Sequence, residues 1–109
     1  MPNAEEIFEA ALARVQSAEP INVGQMFGKP CAKVAGKAFM ARQGRLIVFK
    51  LNGDAHRMAL TYDGSSLWDP SGKGRAMREW VAIPEQADAD WASLSQSAHD
   101  FVFGSRNSA

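Results

Sequence analysis

Glycines at positions 24, 28, 36 and 44 cut the stretch between them into pieces of seven residues or fewer, too short for independent helices but long enough for strands. Between them, Cys31 to Ala35 and Ala38 to Arg42 flank Gly36-Lys37, and Gln43-Gly44 separates Arg42 from Arg45. Two-residue breaks of this kind suit tight hairpins, so the spacing predicts a three-stranded antiparallel meander. Its third strand, Arg45-Leu46-Ile47-Val48-Phe49-Lys50-Leu51, is apolar at both odd and even positions, which places it centrally with both faces covered.

Helical spacing flanks this region. Asn3 is positioned to cap a first helix with Glu5 and Glu6 in its opening turn, and Ile7, Phe8, Ala11, Leu12 and Val15 form its apolar face before Pro20 ends it. Beyond the meander, Asp54 is expected to cap a short helix carrying Ala55, Met58, Ala59 and Tyr62. Ser66-Leu67-Trp68 reads as a short extended piece, Asp69-Pro70-Ser71-Gly72 as a turn, and Arg78 to Ile83 as a final strand. Asp88 or Asp90 then caps a helix with Trp91, Leu94, Ala98, Phe101 and Val102 on one stripe. The order α-β-β-β-α-β-β-α predicts an α+β fold in which helices pack on an antiparallel sheet. With 109 residues the chain reads as one domain, 1–109, with 104–109 as a flexible tail.

The residue inventory argues against several function classes. Cys31 is the only cysteine, which removes an internal disulfide and a thiolate zinc site. His56 and His99 have no carboxylate at metal-ligand spacing, so neither a metal nor a cofactor is expected, and both are read as lying on helix surfaces or in local hydrogen bonds. No apolar run approaches the roughly 20 residues that span a bilayer, and the acidic start carries no secretory pattern; a cytoplasmic protein is the expectation.

The charge, zero overall, is unevenly distributed. Residues 29 to 78 hold ten cations against three carboxylates, net +7, while residues 1 to 28 are net −3 and the remainder net −4. The candidate contact residues for a nucleic acid or protein partner are therefore Lys29, Lys33, Lys37, Arg42, Arg45, Lys73, Arg75 and Arg78. Oppositely charged regions also allow a homodimeric interaction module. A second class is a small-molecule binder or enzyme using Cys31 beside Lys29 and Lys33, where cations favour the thiolate. Gly72-Lys73-Gly74-Arg75 has the composition of a phosphate loop without P-loop spacing, and is read as a solvated basic hairpin. Asp54, Asp63 and Asp69 are read as cap and turn residues, and no catalytic set emerges. Trp80 and Trp91 are expected in the core, and Trp68 is the tryptophan left open to either a core or a ligand role.

Met26-Phe27-Gly28, Val34-Ala35-Gly36-Lys37-Ala38-Phe39-Met40-Ala41 and Leu46 to Leu51, followed by Gly72 to Pro84 and the Trp91 helix, resemble the TfoX/Sxy N-terminal domain family over nearly the whole chain. Gly28-Lys29-Pro30 and Val34-Ala35-Gly36-Lys37 are also similar to the related MmcQ/YjbR family. The resemblance implies the α/β arrangement above and a regulatory, non-enzymatic role, since that family includes bacterial competence regulators that act with a cyclic-AMP receptor protein at promoters. It supplies no catalytic residues. Full-length regulators carry a further C-terminal domain, whereas this chain ends soon after its last helix.

Overall fold

In the computed structural model, which describes residues 2–107 and side-chain surroundings as far as Gly104, the first helix α1 (Ala4–Ala13) begins at a reciprocal cap. Asn3 Oδ1 accepts from the Glu6 amide at 2.9 Å, and Glu6 Oε1 accepts from the Asn3 amide at 3.0 Å. Ile7, Phe8 and Ala11 lie on the buried face of α1, as their spacing predicts.

Four strands follow instead of the expected three: β1 (Ile21–Met26), β2 (Lys29–Val34), β3 (Lys37–Gln43) and β4 (Leu46–Lys50). The additional strand β1 has the sequence INVGQM and lies at one edge of the sheet, where Val23 is 66% exposed. An edge strand with one neighbour buries little, so it lacks the apolar pattern that marks its neighbours in the sequence. Helix α2 (Gly53–Ala59), β5 (Ser66–Trp68), β6 (Met77–Pro84), a 3₁₀ turn at Glu85–Ala87 and α3 (Trp91–Asn107) complete the described chain. Residues 104–107 of the expected flexible tail belong to α3, and residues 108 and 109 lie outside the described residues. Asp54 sits in the first turn of α2, whose N-cap is Asn52; Asp90 takes the expected capping role at α3 by accepting from the Ser93 amide at 3.1 Å.

The fold is thus α+β, with all sheet pairings antiparallel and the spatial order β1-β2-β3-β4-β6-β5. The β1–β2 and β2–β3 hairpins turn at Phe27-Gly28 and Ala35-Gly36, each with two consecutive positive φ angles: 54° and 74°, then 52° and 78°. Positive φ at both central positions is the twist that connects two right-handed strands through a two-residue loop. The glycines fill the second position without strain, whereas Phe27 and Ala35 hold a backbone conformation that disfavours side chains.

The two sheet faces differ. On one, Ala32, Val34, Phe39, Ile47, Phe49, Val81 and Ile83 pack beneath α1 and α3 with Ile7, Phe8, Leu94 and Val102. On the other, a row of small side chains crosses all six strands in register: Gly24, Cys31, Ala41, Val48, Ala82 and Ser66. Trp68 and Trp80 cover the buried part of this row, with ring centroids 5.5 Å apart. In a flat sheet with ~4.8 Å strand spacing, the β1–β2 hairpin and β5 would be roughly 20 Å apart. Yet the ring centroids of Phe27 and Trp68 are 6.1 Å apart. The sheet is therefore curled, its small-residue face concave, and register breaks at Ala32/Lys33 and Leu67/Trp68 add local bending.

Candidate functional site

The curl brings the Phe27 hairpin tip against the loop between β5 and β6, and a cleft of about 400 Å³ lies between them. Phe27, Pro70 and Met77 give it an apolar lining, while Lys29, Ser71 and Arg75 supply polar groups. That size falls in the range of small-ligand sites, and this lining includes two cations and no carboxylate.

Both walls are held locally. Trp68, 1% exposed, donates its indole N–H to Gln43 Oε1 at 2.7 Å, and Gln43 Nε2 donates to the Pro70 carbonyl at 3.4 Å. The indole nitrogen can only donate, so the amide oxygen faces it and the amide nitrogen is directed to Pro70. The following loop wraps around Asp69. One carboxylate oxygen accepts from Ser71 Oγ (3.1 Å) and the Gly72 amide (3.0 Å), the other from the amides of Gly74 (2.7 Å) and Arg75 (3.2 Å). Desolvation pushes the Asp69 carboxyl upward, but the hydrogen bonds from Gly74, Ser71, Gly72 and Arg75 together outweigh it and hold the pKa below the ordinary value. The amides of this glycine-rich loop are thus occupied by the protein's own carboxylate. The loop is therefore not an empty phosphate cradle, and its Lys73 and Arg75 side chains are exposed.

The eight sequence-selected cations do not share one surface. Lys29 and Arg75 line the cleft, and Lys73 is exposed in the same loop as Arg75. Lys33 lies on the concave side: a Cβ added at Gly24 would meet its Cε at 3.9 Å. Arg42 lies across the sheet, in a groove with Glu5, Glu9, Phe8 and Val23. Lys37 pairs in register with core-facing Val34 and so belongs to the helix side. Arg45 is exposed at the β3–β4 turn, and Arg78 is exposed where its carbonyl meets His56 Nε2 at 2.7 Å. Among the described residues, none of the eight has a carboxylate oxygen within 4.0 Å, unlike Lys50 with Glu79 and Arg57 with Asp54.

Cys31 belongs to the buried small-residue row. Burial pushes its thiol pKa up, against the opposing influences of the Lys33 charge and a hydrogen bond with the Gly24 backbone. His99 is buried rather than on a helix surface, between Phe39 and Phe103, because those aromatic neighbours enclose its ring. Its Nε2 is 2.7 Å from Ser17 Oγ and its Nδ1 is 2.9 Å from Asp100 Oδ1. This Ser-His-Asp sequence of contacts ties the segment after α1 to α3. Ser17 Oγ also lies 2.7 Å from the Glu19 carbonyl, competing for its one proton, and none of the three residues lines the cleft.

Four cleft residues, Phe27, Pro70, Ser71 and Met77, are absent from the sequence-based contact set, and Phe27 is the exposed aromatic among them. It belongs to the Met26-Phe27-Gly28 motif, but a phenylalanine in an apolar stretch reads as core. Here it is 59% exposed at a turn. The signal available in sequence was its position immediately before Gly28, where a two-residue hairpin turn places its first residue at the tip.

The molecule is an α+β domain with a curled antiparallel sheet and an aromatic, cationic cleft at its mouth. Among the described residues, no group of three or more histidine, cysteine, aspartate or glutamate residues is arranged to hold a metal, and no helix is long and apolar enough to cross a membrane. Comparison with known proteins found no matching family, no matching characterised protein and no matching solved structure.

Proposed function

We propose that this chain is a non-enzymatic, cytoplasmic binding domain of the TfoX/Sxy N-terminal type, acting in regulation by contact with nucleic acid at the cleft. The observation that carries this reading is the convergence of Lys29 and Arg75, neither with a carboxylate within 4.0 Å among the described residues, on an exposed aromatic ring. Such cations attract phosphate and release its counterions, and the aromatic adds an apolar contact surface. The buried Cys31 thiol, with its raised pKa, supports a role other than nucleophilic catalysis.

The test is binding of DNA and RNA at 50 and 200 mM salt. Affinity should fall steeply with salt; Lys29→Glu with Arg75→Glu should weaken it strongly, and Arg42→Glu, on the opposite face, should do so much less. Salt-insensitive binding, no binding at low salt, or equal sensitivity to Arg42→Glu refutes the reading.

A second reading, a homodimeric interaction module, is favoured by β1. Its six residues carry no charge or proline, and it forms an open edge of the sheet. Sedimentation at two salt concentrations tests it: a concentration-dependent dimer abolished by Val23→Lys supports this reading, and a monomer throughout refutes it.

A further inference from the structure

We infer that the cleft accepts single-stranded nucleic acid, with one unstacked base against the face of Phe27 and the flanking phosphates at Lys29 and Arg75. This inference rests on the nucleic-acid reading of the cleft and specifies the form of strand that enters it.

Three observations carry it. First, Phe27 is 59% exposed while its ring meets Trp68 at 69°, an edge-type contact that uses only part of its surface. A base offers a flat face to such a ring only when it is out of a duplex stack, and base–aromatic stacking tolerates any base. Second, the ring is held at an unfavourable place. With φ of 54°, Phe27 takes a turn position normally given to Asn, Asp or Gly. A bulky residue kept in strained backbone at an exposed tip points to a contact role beyond turn formation. Third, the distribution of charge does not suit a duplex. Arg42 and Lys37 lie on the helix side of the sheet, whereas Lys29 and Arg75 lie at the cleft, so a rigid rod cannot meet all four. A flexible strand needs only a local pair of cations around its inserted base.

The geometry also separates the roles. Phe27 and Met77 provide the apolar contacts, Lys29 and Arg75 the charge, and the Asp69 hydrogen bonds fix the loop carrying Arg75. Loss of the aromatic face should therefore reduce affinity with little change in salt dependence. Loss of the cations should reduce the salt dependence itself.

The experiment uses fluorescence anisotropy with a 15-nucleotide oligo-dT, an abasic strand of the same length and a 15-base-pair duplex. Oligo-dT is expected to bind most tightly. Phe27→Ala and Phe27→Leu should weaken oligo-dT binding about tenfold and leave abasic-strand binding unchanged, and Phe27→Tyr should retain it. Lys29→Gln with Arg75→Gln should lower the log–log salt slope by about 1.4 on both single strands. Thermal melting establishes that each variant is folded, and the tyrosine variant retains a flat ring at the same backbone position. Equal affinity for oligo-dT and the abasic strand, a preference for duplex, or no effect of Phe27→Leu overturns base stacking while charge-based binding stands. Absence of salt-dependent binding to all three ligands overturns both.

Discussion

Replacing Gln43 by leucine should destabilise the domain by leaving the Trp68 indole N–H without its acceptor. The side chains have similar bulk, but leucine can accept no hydrogen bond. In the native protein the donor and Gln43 Oε1 are 2.7 Å apart, and Trp68 is 1% exposed, so the indole has little access to replacement water. An orphaned buried donor costs about 1–3 kcal/mol. With an unfolding entropy of about 2.1 cal/mol/K per residue, this corresponds to a fall of roughly 4–13 °C in Tm. Losing the longer bond from Gln43 Nε2 to the Pro70 carbonyl, 3.4 Å, adds less because the contact is near the limit of hydrogen-bond distance and Pro70 is only half-buried. A double-mutant cycle isolates the pair: Gln43→Leu, Trp68→Phe and both together, each measured by urea unfolding with far-ultraviolet circular dichroism. In the Trp68→Phe background there is no donor to orphan, so Gln43→Leu should cost less than half of what it costs in the native protein. Additive single-mutant losses would refute the hydrogen-bond account, and an unchanged unfolding midpoint for Gln43→Leu would remove its stability role.

Three further perturbations test the fold and its cleft. Asp69 has a folded pKa lowered relative to its ordinary value; its stabilising contribution is therefore present above that ordinary value and lost as pH falls through the folded pKa, so the amide resonances of Gly72 and Gly74 should move together in strongly acidic solution and Asp69→Asn should remove that transition. A persistent shared transition in Asp69→Asn contradicts the assignment. Gly64→Ala should lose about 1–3 kcal/mol of stability, measured by urea unfolding, because φ is 79° and the new Cβ would lie 2.9 Å from Pro84 Cγ; unchanged stability contradicts that steric argument. Native Cys31 should resist iodoacetamide at pH 7 to 9 and react fully in guanidinium, because its side chain is buried and its pKa raised; labelling of the folded protein at the rate of a free thiol contradicts that placement.

The elements most legible in sequence are those whose burial imposes a pattern. The cap at Asn3, the apolar face of α1 and the two-sided burial of β4 all follow local rules. Strand β1 escapes them because an edge strand exposes Val23 and includes Gly24, diluting the alternation. The basic segment was visible as composition, but its division between faces was not. Lys29 and Arg42 belong to one stretch of charge, and only strand register and the approach of α1 place them on different sides. Asp69 was legible as a turn residue, whereas the wrapping of Gly72, Gly74 and Arg75 around both carboxylate oxygens depends on the folded loop.

The cleft and the hydrophobic core have a common structural origin in the register of the sheet. Gly24, Cys31, Ala41, Val48, Ala82 and Ser66 align across six strands, leaving a shallow lining on the face opposite α1 and α3. Larger residues along that row would collide as the sheet curls, since side chains on a concave face converge. The small row instead leaves space for Trp68 and Trp80, and the curl brings the Phe27 hairpin, from the opposite end of the strand order, to Trp68 on the same concave face. Thus neither Phe27-Gly28 nor the loop after Trp68 makes the cleft alone. The hairpin supplies an exposed ring, the loop supplies Arg75, and the small-residue row lets the sheet curl until the two face each other, so the shape of the cleft depends on sheet residues outside its lining.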